Sequence, residues 1–63
     1  MDKALYIFDI VLASMDGETN EVRHYMCWEE SYISALKRCI DHCEACNFAV
    51  VRIDENYEAE AEY

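Results

Sequence analysis

The chain has no proline and a single glycine in 63 residues, and it sets only five Lys and Arg against 14 Asp and Glu. The lack of Pro and Gly excludes a flexible linker, a collagen-like repeat and a loop-rich scaffold. No apolar run approaches the roughly 18 residues that a membrane-spanning helix needs. The shortage of basic residues leaves a net charge of −9 and a pI of about 4.3. That charge argues against direct contact with nucleic acid or anionic lipid. Catalytic signatures are missing as well: there is no Gly-x-Ser-x-Gly, no Gly-rich phosphate loop and no His-Glu-x-x-His. A chain this short leaves little room for a concave substrate pocket. What it does have is apolar content, 54% of its residues. That is too much for a disordered acidic tail, and the length suits one small domain.

The N-terminus, Met-Asp-Lys-Ala-Leu-Tyr-Ile-Phe-Asp-Ile, breaks the pattern of a secretory leader at Asp2 and Asp9. The expected location is the cytoplasm of a bacterial host. In a reducing compartment Cys27, Cys39, Cys43 and Cys46 are expected to be free, and mostly buried.

Residues 4–13 are rich in β-branched and aromatic types and predict strand 1. Tyr6, Phe8, Ile10 and Leu12 share one face; Leu5, Ile7, Asp9, Val11 and Ala13 share the other. With both faces largely apolar, this strand should be central or covered on both sides. Asp9 interrupts its face, so pairing with Arg23 or Arg52 stands beside simple solvation. The Asp16-Gly17 pair signals a turn. Strand 2 is expected from about Val22 to Cys27.

Trp28-Glu29-Glu30-Ser31 is expected to open a helix, its acids complementing the positive end of the helix dipole. Tyr32, Leu36, Cys39, Cys43 and Cys46, with Ile33 and Ile40 beside them, form an apolar stripe at helical spacing. Asn47 can adopt the left-handed conformation that ends a helix. Strand 3 is expected over residues 48–53, closing a domain of residues 1–53.

The fold class expected is α+β: strand-strand-helix-strand, a three-stranded antiparallel sheet of order 2-1-3 with one helix on one face. That order makes strand 1 central and every neighbour antiparallel. The uncovered face would expose several of Leu5, Ile7, Val11, Tyr25 and Val51, a patch suited to a homodimer or a docked partner.

Four thiols invite a zinc or redox reading. Cys43 and Cys46 have the C-x2-C spacing of zinc sites. On a continuous helix, however, Cys39 and Cys46 lie about 10 Å apart along the axis. Both could not reach one zinc at about 2.3 Å. As a redox pair, Cys43 and Cys46 sit at the helix C-terminus, where the dipole disfavours a thiolate. No metal or cofactor is expected. A zinc-binding or thiol-switch domain, or a structural subunit dimerising through its open sheet face, is kept as an alternative to the acidic reading that follows.

Acids cluster in the turn (Asp16, Glu18, Glu21), before the helix (Glu29, Glu30) and in an acidic tail over residues 54–63 (Asp54, Glu55, Glu58, Glu60, Glu62). If the tail extends strand 3, Glu58, Glu60 and Glu62 share one face at about 6.6 Å per step. That is the scale of successive phosphates. Tyr25, Trp28, Tyr57 and Tyr63 lie among the acids as candidate anchors. A charge of −9 exceeds the roughly 2–8 that solubility asks of a small domain. A basic nucleic-acid-binding protein is therefore the expected partner, held without catalysis.

In layout and charge the chain resembles small acidic host-inhibitor proteins of bacteriophages, such as anti-CRISPR proteins and uracil-DNA glycosylase inhibitors. The likeness lies in an immediate first strand (Lys3-Ala-Leu-Tyr-Ile-Phe), one helix and a closing strand (Phe48-Ala-Val-Val-Arg-Ile), over residues 1–53. It implies a protein inhibitor of a nucleic-acid enzyme, and no residue role is carried over from it.

Overall fold

In the computed structural model, residues 2–14 and 20–63 are described. The elements run β1 (Ala4–Leu12), β2 (Glu21–Glu29), α1 (Tyr32–Ala45), β3 (Val50–Glu55) and α2 (Tyr57–Ala61). The strands form one antiparallel sheet of order β2-β1-β3, as the sequence predicts. The Asp16-Gly17 turn, with Met15, Glu18 and Thr19, lies outside the described residues.

β1 is central because it can be buried on both sides. Phe8, Ile10 and Leu12 face α1 and join Cys27, Ala35, Cys39 and Cys43 in the core. Ile7 and Val11, on the opposite face, are buried too. Of the five residues expected to expose an apolar patch, only Val51 is exposed; Leu5 and Tyr25 are half-buried. Tyr25 pairs with Phe8 and so belongs to the α1 face, where it packs against the core. Exposure falls instead on the outer face of β2, at Val22, Met26 and Trp28.

α1 begins later than expected. Trp28 and Glu29 continue β2, Glu29 pairing with Ala4, and the N-cap is Ser31, whose Oγ accepts the Ser34 N–H at 3.2 Å. Glu29 and Glu30 therefore precede the helix and do not occupy its first turn. The buried stripe is narrower than predicted. Ala35, Cys39 and Cys43 face the sheet, while Ile33, Ile40 and Cys46 are exposed. Ala35 has no side chain beyond Cβ, which lets the helix backbone approach the sheet. Above it, Tyr32 meets the rings of Tyr6 and Phe8 at 6.4 and 6.0 Å.

The helix ends as Asn47 predicts. Its φ is 59°, the Phe48 N–H donates to Cys43 O at 3.0 Å, and the Asn47 N–H donates to Glu44 O at 3.1 Å. This is the Schellman pattern, and it satisfies carbonyls that the helix end would leave unpaired.

β3 starts two residues later than expected and reaches Glu55, with a register irregularity opposite Val11 and Leu12. The chain does not continue as a strand. Asn56 caps α2 by accepting the Ala59 N–H at 3.0 Å through its side-chain oxygen. Glu58 and Glu60 lie in this helix and Glu62 caps its end, so the three do not form the evenly spaced strand face considered above. Their Glu-Ala alternation reads as period two, yet both residue types favour a helix once a capping Asn precedes them.

Candidate interaction surface

α2 completes the sheet where β3 leaves it. The Asn56 N–H donates to Ile7 O at 2.7 Å, and the Ile7 N–H donates to the Glu60 carboxylate at 2.8 Å. A carboxylate thus satisfies a backbone donor on β1 that would otherwise be left at the sheet margin. Asp9 anchors the same corner. It accepts from the Asn56 side-chain amide at 3.2 and 3.3 Å, and it meets His24 Nδ1 at 2.7 Å. Neither arginine weighed for Asp9 reaches it. Arg23 stands opposite Ile10 on the other face and pairs with Glu21 at 2.9 Å, while Arg52 pairs with Asp54 at 2.7 Å.

Between α2 and β2 lies an open groove of about 370 Å3, lined by Ile7, His24, Met26, Asn56, Ala59 and Tyr63. Its floor is apolar. Ala59 of α2 and Tyr63, just beyond its end, line one side.

Around α2, two carboxyls are forced together. Burial pushes the Glu55 carboxyl up from its ordinary range, and its hydrogen bond to and repulsion from Glu60 push it further. The Tyr57 hydroxyl is raised chiefly by the charge of Glu55. From the sequence, Glu55, Glu60 and Tyr57 are expected to be outward contacts. Glu55 and Glu60 are half-buried and serve the fold; Tyr57 remains largely exposed.

The other predicted contacts divide. Asp16 and Glu18 lie outside the described residues. Glu21 and Asp54 are exposed but matched by Arg23 and Arg52. Glu29 lies between Arg38 at 3.2 Å and Lys3 at 4.0 Å. Tyr25 is engaged by the His42 ring at 4.8 Å. Trp28, Glu30, Tyr57, Glu58, Glu62 and Tyr63 stay exposed. Asp41 and Glu44 are also exposed on α1, and their positions off the apolar stripe are the signal for this in the sequence.

Three thiols belong to the core. Burial raises Cys27, Cys43 and above all Cys39, whose thiol is pushed up to about 12 by burial and then by Cys43. Such thiols are poor nucleophiles near neutral pH. Cys46 is exposed, its Sγ 3.8 Å from His42 Nε2. Among the described residues, no group of three or more His, Cys, Asp or Glu is placed to hold a metal ion. No helix among them is long and apolar enough to cross a membrane.

No protein-family model matches the chain, and neither a curated protein nor a solved structure matches it.

Proposed function

We propose that this is a non-enzymatic acidic protein that binds a nucleic-acid-binding protein and occupies its basic groove, as the phage inhibitors it resembles in layout do. One observation carries the reading. Four of the five basic side chains, Lys3, Arg23, Arg38 and Arg52, are already matched to acids of the same chain. Exposed Lys37 is the one Lys or Arg left without an ion pair among the described residues, so the unmatched charge is predominantly negative. Glu30, Asp41, Glu44, Glu58 and Glu62 are exposed and have no ion pair among the described residues. A predominantly negative field on a small folded body attracts a basic partner at long range and repels nucleic acid and other acidic proteins. Trp28 and Tyr57 supply exposed aromatic anchors beside that charge. The reading places the protein in the cytoplasm of a bacterial host, where its buried thiols stay reduced.

The test is affinity capture from bacterial lysate at low and high salt, read by mass spectrometry. The wild-type chain is compared with a variant carrying Glu30→Gln, Glu58→Gln and Glu62→Gln. Among the described residues, none of the three side chains makes an ion pair or hydrogen bond that the substitution would break. The expected result is recovery of a basic nucleic-acid-binding protein, reduced by salt and by the variant. Recovery that ignores both would remove the proposal.

A further inference from the structure

β2 is an edge strand whose outer rim is open. Among the described residues, only β1 neighbours it in the order β2-β1-β3. The bond from Asn56 N–H to Ile7 O fixes the odd residues of β1 as those whose backbone groups point toward β3. Tyr6, Phe8 and Ile10 therefore turn theirs to Cys27, Tyr25 and Arg23 of β2. By alternation, the N–H and C=O groups of Val22, His24, Met26 and Trp28 point away from the sheet. Among the described residues, none of these groups enters a backbone bond outside the strand ladder.

The opposite margin is different. β3 has six residues, an irregular register, the Arg52–Asp54 ion pair and a turn into α2. These are the devices that blunt an edge. β2 has nine residues, with no Pro, no Lys and no bulge against β1. The side chains of its outward-bonding residues lie on the face away from α1, with Val22 48%, Met26 49% and Trp28 55% exposed.

We infer that β2 accepts an added antiparallel strand over residues 22–28: an extended segment of the partner protein in which cationic and apolar residues alternate. The inference rests on the acidic-binder reading and specifies how that partner is held. Residues of the added strand that bond Val22, His24, Met26 and Trp28 put their side chains on the same apolar face. The intervening residues lie on the α1 side, where Glu21 and Glu29 are already matched by Arg23, Arg38 and Lys3. Cations are favoured there by exposed Glu30, just beyond the strand and without an ion pair among the described residues, and by the net charge of −9. A second copy of this chain fits less well. Full overlap of two β2 strands sets Glu21 against Glu29 and brings together two bodies of charge −9. Strand addition takes affinity from the backbone and specificity from alternate side chains.

The experiment uses the intact chain and a synthetic peptide as long as β2 that alternates Lys and Val. A second peptide of equal charge is N-methylated at the valines, whose N–H groups would face β2. Binding is read from Trp28 fluorescence, and amide hydrogen exchange is read residue by residue. The expected result is slowed exchange at Val22, His24, Met26 and Trp28, amides that exchange fast in the free chain. The N-methylated peptide should bind roughly tenfold or more weakly. Equal binding of both peptides without slowed exchange overturns strand addition and leaves the acidic-binder reading standing. No binding of either peptide at low salt overturns both. Slowing of the same amides without peptide, growing with protein concentration, makes a second copy the occupant and overturns the inference.

Discussion

Cys39 is fully buried, with Phe8 and Ile10 in the same core cluster, and burial lifts its thiol to about 12 from an ordinary 9.0. Cys27 and Cys43 are raised for the same reason, whereas Cys46 faces solvent. The account therefore predicts a sharp division in reactivity. Brief treatment of the folded chain with iodoacetamide near neutral pH should label Cys46 alone; after unfolding in denaturant all four thiols should react. Intact mass counts the adducts. Rapid native labelling at Cys39 or Cys43 would mean that the core opens and that a thiol switch is feasible. In the sequence, the helical spacing already places Cys39 and Cys43 in the core. It also places Cys46 on the same stripe, because periodicity cannot show that the helix ends there and that no strand reaches over it.

At the scale of elements, the helix end is the clearest local signal. Asn47 holds φ at 59°, a region that costs an ordinary L-residue about 1–2 kcal/mol. Asn47→Ala should destabilise the fold by about 1 kcal/mol, or about 4–8 °C in Tm for a domain of this size. Asn47→Gly should be neutral or slightly stabilising. Thermal unfolding of both variants checks the prediction, and equal Tm values would contradict it.

α2 gives a pH-dependent prediction. The folded Glu55 carboxyl is raised above its ordinary 4.5 by burial and by Glu60. The folded state thus binds the proton more tightly than the unfolded state. Its contribution to stability is full below the unfolded value and is lost as pH rises through the folded one. Glu55→Gln keeps an acceptor for the Tyr57 hydroxyl and removes the repulsion from Glu60. It should raise Tm at pH 7, with the gain shrinking as pH falls through the carboxylate range. A gain that does not depend on pH would contradict this cause.

The same elements show which parts of the fold the sequence reveals. β1 with two apolar faces compels a central strand, and that in turn compels the order β2-β1-β3. The start of α1 is harder to read, because Trp28 and Glu29 suit either a strand end or a helix entry. Pairing of Ala4 with Glu29 across the sheet decides it. α2 is short, and its alternating Glu and Ala imitate a strand. The deciding contacts, Asn56 with Asp9 and Glu60 with Ile7 N–H, join residues 47 and 53 positions apart. For the same reason the local pattern marks Glu60 as surface charge, when it completes the sheet margin.

For the whole molecule, charge is what the sequence states most plainly, and folding concentrates it. Pairing of Lys3, Arg23, Arg38 and Arg52 with acids of the chain leaves few cations to soften the field outside. The acids that remain are spread over α1, the β2–α1 junction and α2, so the account describes a broad acidic body with an open strand edge. No single pocket carries the proposed binding. Long-range attraction of this kind sets encounter rates and weakens as salt shortens its reach to about 8–10 Å near physiological ionic strength.

The most direct measurement is competition. A basic protein recovered by capture is loaded with fluorescently labelled nucleic acid, and the acidic chain is titrated in while anisotropy is followed at several salt concentrations. The account predicts stoichiometric displacement of the nucleic acid at low salt, with the competing affinity falling steadily as salt rises. A ternary complex that retains the nucleic acid, or binding that salt does not alter, would contradict the claim that this chain occupies a basic groove.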